Sequence, residues 1–273
     1  MAEPTPSGGC FTSLLILLAA VFGSFMAAFN SASTTIITPT EITTTVVVIP
    51  IGTFTSDELN QAATVMQKRL TSLSLSSATV EVSGDTSINV GLPHVDSLDE
   101  VLKTLVARGL LEFVDFSDVP DIGAWAGRDI LTTGQGDHPI SETAVKNPAT
   151  NKPFETVLTG DGVKSAKPEL NQQFGNQWQI TLEFSDEAGK VLGDYTRTHL
   201  GKALAIVLDG KVLSVPVIQA EISTQAVITG NFTEQETNRL AVQLAGGALP
   251  FEMQVRLIRS DYGISAGTAT PRP

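Results

Sequence analysis

The chain is poor in the residues that most catalytic and metal sites use. Its 273 residues include one cysteine, Cys10, and three widely separated histidines, His94, His138 and His199. A single cysteine excludes an intrachain disulfide, and no histidine has the spacing of a zinc-binding motif. The sequence also contains no phosphate-binding loop and no nucleophile elbow. We therefore expect no cofactor, no metal site and no enzymatic activity.

Positive charge is also scarce. The sequence contains 17 lysines and arginines against 29 aspartates and glutamates, which gives a net charge of −12. An acidic chain repels phosphate backbones, so nucleic acid is not an expected partner. Hydrophobic residues make up 42% of the chain, which is enough for a packed core and argues against global disorder.

Only one apolar run is long enough to cross a membrane. Residues 11–29 (FTSLLILLAAVFGSFMAAF) carry no charge, and as a helix of about 19 residues they would span roughly 28 Å, close to the ~30 Å hydrocarbon core. We predict one transmembrane helix there, after a leader at residues 1–10 and before a Ser/Thr-rich linker at residues 30–45. Cleavage after Ser33, where small residues cluster, is the alternative to an uncleaved anchor.

The segment after the linker alternates strand and helix patterns. Four stretches rich in β-branched and apolar residues predict strands, at residues 43–49, 78–83, 87–92 and 110–116. Two helices separate them, and each begins with a capping box, Thr55 with Glu58 and Ser97 with Glu100. The order β-α-β-β-α-β is that of a split βαβ, or ferredoxin-like, unit. We predict that residues 46–116 form the first part of a ferredoxin-like base.

The second half returns to strand and helix patterns after a loop-rich stretch of Gly and Pro at residues 117–153. Strands are predicted at residues 177–184, 203–208, 212–218 and 251–258. Ser185 caps one helix, and Thr233 with Glu236 opens another that ends at Gly246-Gly247. The expected core face of the first helix consists of Ala188, Val191, Leu192, Tyr195 and His199.

Residues 158–250 carry several motifs in a fixed order. They read LTGDGVKSAKPEL, ITLEFSDEAGKVLGDYTRTHLGKALAIVLDGKVLSVPVI and ITGNFTEQETNRLAVQLAGGALP. This stretch closely resembles SecD, an accessory subunit of the bacterial protein-export channel, whose pattern is LTG-D…SA, AIVLDGKVLSAPVI, ITG-FT and L…GALP. Val215 replaces the alanine that the family usually has. A weaker likeness upstream extends the resemblance over most of residues 55–259.

The resemblance implies an α+β fold in which a ferredoxin-like base carries an inserted α+β head, preceded by one transmembrane helix. We assign the head to residues 117–230, a return segment of the base to residues 231–259 and a flexible tail to residues 260–273. Six residues of the family pattern are expected to have structural roles: Asp209, Gly210, Pro216, Gly230, Gly247 and Pro250. In SecD a bundle of membrane helices follows this domain and carries the proton-driven work. Because the sequence has no second apolar run of spanning length, we expect no proton-coupled activity.

Two functions are compatible with this resemblance. In the first, the domain lies on the extracytoplasmic side of the cell membrane and assists protein export by binding unfolded secreted polypeptide or components of the Sec translocase. Candidate contacts are Leu213, Val215, Val217 and Ile218. An ordinary core strand is the alternative interpretation of these four residues.

In the second, the chain is a structural or scaffolding subunit of a larger membrane complex that reuses a SecD-like head. Small residues in the predicted anchor would let it pack closely against other helices: Gly23, Ser24, Ala27 and Ala28. Ordinary membrane-helix composition explains them equally well. Crosslinking from the head distinguishes the two functions, because one predicts secreted chains and the other a single stoichiometric partner.

Overall fold

The computed structural model describes residues 42–136, 143–172 and 175–260, together with the backbone of Gly263–Ser265. These residues form four α-helices and twelve strands, so the predicted mixed α+β class is confirmed. The helices are α1 (Ser56–Ser72), α2 (Leu98–Val106), α3 (Asp186–Thr198) and α4 (Glu234–Gly246). The strands are β1 (Ile42–Pro50), β2 (Thr79–Ser83), β3 (Ser87–Pro93), β4 (Leu111–Asp115), β5 (Thr156–Thr159), β6 (Val163–Asn171), β7 (Gln177–Phe184), β8 (Leu204–Leu208), β9 (Lys211–Ser214), β10 (Gln225–Phe232), β11 (Met253–Ser260) and β12 (Gly263–Ser265).

The first sheet has five antiparallel strands in the order β12-β11-β1-β3-β2. Alternate residues in the central part of β1 and in β3 are apolar and point toward the helices. The apolar residues of α1 recur every three or four positions, so they form one face of the helix that packs against this side of the sheet. The resulting first core contains Val46, Val48, Ile88, Val90, Leu59, Ala62, Met66 and Leu70. Helix α2 also contributes to this core, and α4 packs against both α1 and α2.

The prediction that residues 110–116 supply the fourth strand of this sheet is wrong. Strand β4 pairs instead with β5 and β8, and the place beside β1 is taken by β11, which returns from the far end of the chain. The first four residues of β4 are buried, so its apolar pattern suits a central position in any sheet. Its partner is decided by contacts that are remote in the sequence.

The remaining strands form two further sheets, a four-stranded one in the order β5-β4-β8-β9 and a three-stranded one in the order β10-β7-β6. A second core contains side chains of β4, β7 and β8 together with residues of α3 and α4: Leu111, Phe113, Ile180, Leu182, Phe184, Leu192, Leu204, Ile206, Ala241 and Leu244. The opposite face of the four-stranded sheet packs on a third core around Phe116, Trp125 and Phe154, whose ring centroids lie 4.8 to 5.5 Å apart. Strand β8 is therefore buried on both faces.

Most of the predicted helix starts are confirmed. The Thr55 and Thr233 side chains both make capping boxes, and Ser185 accepts a hydrogen bond from the backbone N–H of Ala188. The Ser97 capping box is wrong, because the Ser97 side chain makes no cap hydrogen bond. Its expected partner Glu100 instead contacts Lys103 at 3.0 Å and Arg239 at 3.6 Å.

Other local predictions also differ from the structure. Val191, predicted on the core face of α3, is 48% exposed, and Gly189, Gly193 and Thr196 occupy that face instead. The strand predicted at residues 212–218 ends at Ser214, and the sequence pattern did not reveal β5, β6 or β10. Strand β1 begins inside the predicted linker, and β12 lies inside the predicted tail.

The predicted membrane anchor at residues 11–29 lies outside the described residues. Within the described part of the chain, no helix is both long enough and apolar enough to span a membrane.

Candidate functional site

The four predicted contact residues lie on β9 and the segment that follows it. Leu213 packs against the second core and Val215 against the third, so their side chains face different parts of the molecule. Ile218 is 4% exposed and belongs to the second core, whereas Val217 is 45% exposed. The four residues therefore do not form one surface, and Val217 is the member of the set that a ligand could reach most easily.

An apolar groove lies beside Val217. Its volume is about 260 Å³, and it is lined by Leu204, Pro216, Val217, Ile218, Gln219, Ala220 and Ile222. Leu200, just after α3, is 56% exposed, and the next residue, Gly201, donates its N–H to the carbonyl of Ile218 at 2.9 Å. The groove thus lies beside a second segment that also exposes an apolar side chain.

The backbone at Val217 is an open sheet edge. The N–H of Leu204 donates to Pro216 O at 3.0 Å, and the N–H of Ile218 donates to Lys202 O at 2.9 Å. Val217 lies between these bonds and faces Ala203, with which it forms a non-hydrogen-bonded antiparallel pair. Its own N–H and C=O therefore point away from β8, and neither has a protein partner in the described part of the chain. An extended peptide could pair at this position.

The same edge is closed near the beginning of β9. The carbonyl of Val212 accepts from the N–H of Gly127 at 2.8 Å, and the N–H of Val212 donates to Arg128 O at 2.9 Å. A peptide strand that pairs with this edge would therefore extend from Val217 away from Val212.

The family-pattern residue Asp209 makes the turn between β8 and β9. Asp209 has φ +50° and Gly210 has φ +74°, the left-handed pair that a tight hairpin needs. Asp209 also bonds Leu110 twice, because its Oδ1 accepts from the N–H of Leu110 at 2.8 Å and its N–H donates to Leu110 O at 2.9 Å. This turn therefore fastens the hairpin to the segment between α2 and β4.

The other family-pattern residues are spread over the fold. Pro216 is exposed at the rim of the apolar groove, and Pro250 is partly exposed before β11. A Cβ at Gly230 would come within 2.6 Å of the Phe232 ring, so the close approach of this ring requires glycine. Gly247 has φ +90° and follows the last residue of α4.

Sequence reasoning missed a buried arginine. Arg69 of α1 is 0% exposed. The four N–H groups of its Nη1 and Nη2 atoms contact five backbone carbonyls, so at least one N–H of Nη1 is shared. Nη1 contacts Thr104 (3.0 Å), Leu105 (3.0 Å) and Ala107 (2.5 Å), and Nη2 contacts Arg108 (3.1 Å) and Gly247 (2.8 Å). Arg69 thereby joins the end of α2 to the end of α4, where the chain leaves the first sheet and where it returns. The available signal was its position three residues after Met66, beside the apolar stripe of α1.

Asp209 and Glu112 are two further titratable groups, partly buried and buried respectively, and Asp209 acts on both Arg69 and Glu112. Burial lowers the pKa of Arg69 to about 10, and the charge of Asp209 opposes that shift. Burial raises the pKa of Asp209, and it also raises the pKa of Glu112. One carboxylate oxygen of Glu112 accepts from the hydroxyls of Thr132 at 2.6 Å and Thr156 at 2.7 Å. Since Arg69 and Glu112 are fully buried, the cluster has the geometry of an internal joint.

No group of three side chains that could hold a metal ion occurs among the residues that the structure describes. The histidine that follows α3 is packed: the ring of His199 stacks on Tyr195 with centroids 4.0 Å apart, and its Nδ1 lies 2.9 Å from the carbonyl of Tyr195.

Comparison with known proteins gives consistent results. The family described as SecDF, P1 head subdomain, matches residues 140–251. The protein translocase subunit SecDF of Thermus thermophilus is 33% identical over 221 residues, which cover 76% of this chain and 28% of that protein. The protein translocase subunit SecD of Synechocystis sp. is 30% identical over 227 residues, covering 73% of this chain and 48% of that protein. The chain thus spans less than half the length of these two relatives.

Two solved structures resemble the fold. One, from work titled "Structure and function of a membrane component SecDF that enhances protein export", has a TM-score of 0.62 and 28% identity and covers 79% of this chain and 99% of its own. Another, titled "Crystal structure of SecDF in Super-membrane-facing form", has a TM-score of 0.63 and 29% identity and covers 80% of this chain and 30% of its own. The chain therefore carries, over about three quarters of its length, a periplasmic domain of the SecD family.

Proposed function

We propose that this domain assists protein export by holding an extended, apolar stretch of translocating polypeptide at the sheet edge beside Val217. The observation that carries the proposal is the combination of an unpaired backbone edge and an apolar groove at one place. A peptide that pairs with Val217 would gain main-chain hydrogen bonds without any sequence requirement, and alternate apolar side chains would enter the groove. Such a site suits the varied sequences of exported chains.

Weak binding is sufficient for this role. A dissociation constant of about 1 mM corresponds to roughly −4 kcal/mol, and a domain that only has to prevent backward movement must release its polypeptide again. The groove volume of about 260 Å³ accommodates a few side chains and no long segment, which agrees with low affinity. The proposal assigns no catalysis and no proton coupling to this chain.

We also propose where the domain lies and how it is built. The domain is extracytoplasmic, held at the cell membrane by the apolar run at residues 11–29, and works beside the Sec translocase. A ferredoxin-like base (residues 46–110 and 231–259) carries a head (residues 111–230), because β4 pairs with strands of the head. The strand order β11-β1-β3-β2, with α1 and α2 as the connecting helices, supports such a base. Its fourth strand is β11, so the return segment completes the base.

The test is peptide binding by the purified full chain and by two matched variants. The probe is a synthetic peptide of about ten residues with alternating leucine and serine, which is long enough to pair as one strand. Val217→Asp places a charge at the edge, and Val227→Asp makes the same change on β10 at the same 45% exposure. Exposed substitutions such as these change stability by only about 0.5 kcal/mol, so both variants fold.

Saturable binding in the millimolar range, weakened at least about fivefold by Val217→Asp and unchanged by Val227→Asp, supports the proposal. No saturable binding at millimolar peptide, or equal losses in the two variants, contradicts it. A pull-down from detergent-solubilised membranes that recovers one stoichiometric protein and no exported chains would instead favour the scaffolding function.

A further inference from the structure

A second groove lies between α1 and the first half of β6. Its volume is about 580 Å³, and Ala245 of α4 also lines it. Three lysines line it, Lys68 from α1 and Lys164 and Lys167 from β6, and no carboxylate does. In a chain with 29 acidic and 17 basic residues, this is an unusual concentration of positive charge.

Local structure explains why the lysines converge. On α1 the lining positions Thr64, Lys68 and Ser72 are spaced by four residues, so they share one face of the helix. On β6 the pairing register with β7 shifts between Val163 and Ser165, which makes Lys164 the extra residue of a bulge. A bulge redirects a side chain that regular alternation would send to the other face of the sheet.

The charges in this groove are only partly compensated. Lys167 Nζ lies 3.6 Å from Glu183 Oε1, and the Glu183 carboxylate also interacts with Lys164 and accepts from the Ser165 hydroxyl at 2.8 Å. Lys68 makes no ion pair in the part of the chain that the structure describes. With three lysines and one glutamate, the groove keeps a local excess of about two positive charges at neutral pH.

We propose that this groove binds a short acidic segment of another protein. The chain as a whole carries −12, so an extended polyanion such as an anionic membrane surface or a nucleic acid would be repelled over most of its length. A short segment that fits the groove responds mainly to charges within about 8 Å, the screening length at physiological salt. Within that distance it meets the lysines, and about 580 Å³ is far more than one phosphate group requires.

The chemistry of the groove also indicates how it binds. Lysine ammonium groups are point charges on flexible stems, so they accept carboxylates in several arrangements and do not require the planar geometry that arginine favours. The partner is therefore defined by the density of its acidic residues more than by a fixed sequence. Binding is expected to weaken steeply with added salt, because the lysines are exposed and easily screened.

The experiment measures anisotropy of a labelled peptide of about ten residues with alternating glutamate and serine, titrated with the full chain at low salt. The test variant is Lys68→Gln with Lys164→Gln, and the control is Lys152→Gln with Lys190→Gln, two exposed lysines outside the groove. Both double variants change the net charge equally, and thermal unfolding confirms that both are folded. Additional arms use a glutamine-for-glutamate peptide, inorganic phosphate as competitor and vesicles that contain phosphatidylglycerol.

We expect binding of the acidic peptide to weaken about tenfold in the test variant and less than about twofold in the control. The neutral peptide should not bind, and phosphate should compete only at concentrations far above that of the peptide. Equal weakening in both variants, binding of the neutral peptide, competition by phosphate at equal concentration, or binding to vesicles without binding to the peptide would each overturn the proposal. The leucine–serine peptide should bind the test variant normally, so failure here is distinguishable from failure at the Val217 edge.

Discussion

Replacement of Arg69 by methionine should destabilise the protein by about 3–5 kcal/mol, the cost of breaking a buried charged network by removing one partner. The guanidinium contacts five carbonyls at the ends of α2 and α4, where no helical N–H is available to replace it. Arg108 O keeps a second partner, the N–H of Leu249 at 2.8 Å, so removal of the guanidinium affects mainly the other four carbonyls. Each carbonyl left without a partner costs about 1–3 kcal/mol, and removal of the buried charge, whose pKa is lowered to about 10 by desolvation, offsets part of that cost. The side chain cannot move aside easily, because it passes Gly109 and Gly246 at distances that exclude a Cβ at either position.

The assay is urea denaturation of the full chain, with the free energy of unfolding extrapolated to water. The matched control is Lys68→Met, which removes the same charge from the preceding, exposed position of α1 and should change stability by only about 0.5 kcal/mol. Arg69→Lys should fall between the two, because an ammonium group has three donors for five carbonyls. An Arg69→Met variant within about 1 kcal/mol of the parent, or no different from Lys68→Met, would refute the reasoning.

Three further predictions concern other parts of the fold. Burial raises the pKa of the Glu112 carboxyl above 4.5, so the folded state binds the carboxyl proton more tightly than the unfolded state does. The contribution of this group to the free energy of unfolding therefore falls as pH rises from about 4.5 through the pKa of the folded state. Thermal unfolding at several pH values should therefore show Glu112→Gln gaining on the parent as pH rises, and a constant difference would contradict this. Gly189→Ala should lower the free energy of unfolding, measured by urea denaturation, by more than about 2 kcal/mol, because its Cβ would overlap the carbonyl oxygen of Ser223. The control Gly193→Ala, whose Cβ would meet its nearest neighbours at 3.2 Å, should change it by less than about 1 kcal/mol. Comparable losses in the two variants would argue against that packing. Thr233→Ala should lower the free energy of unfolding by about 1 kcal/mol, because the capping box is lost. Ser97→Ala should lower it by less than about 0.5 kcal/mol, because the Ser97 side chain makes no cap hydrogen bond, and equal losses in the same assay would contradict this prediction.

The sequence predicted the helices well where the signal was local. Thr55 and Thr233 each bond a residue three positions ahead, and such a bond depends little on the rest of the fold. The failure at Ser97 shows the limit of this signal, since the Glu100 carboxylate contacts Lys103 at 3.0 Å and Arg239 of α4, a residue remote in the sequence, at 3.6 Å. Strands β6 and β10 were missed because the first contains Pro168 and the second contains Gly230, and both are edge strands that tolerate such residues.

The candidate binding site could be predicted only in part. The motif around Val217 singled out the segment that lines the apolar groove, but alternation along the chain could not separate Val217 from Ile218, whose burial depends on packing against the second core. The lysine groove was not predictable, because Lys68 and Lys164 belong to distant elements and become neighbours only when α1 packs near β6.

By itself, the sequence determined the α+β class, most helix boundaries, the Asp209-Gly210 hairpin turn and the likeness to SecD, since each depends on neighbouring residues or on the order of motifs. Tertiary structure alone decided that β11 and not β4 completes the first sheet, that Arg69 joins the ends of two helices, and that Val217 remains accessible. The physical reason is that strand partners and burial are set by contacts between segments far apart in the chain, and a local pattern shows which face of a strand is apolar but not which surface will cover it.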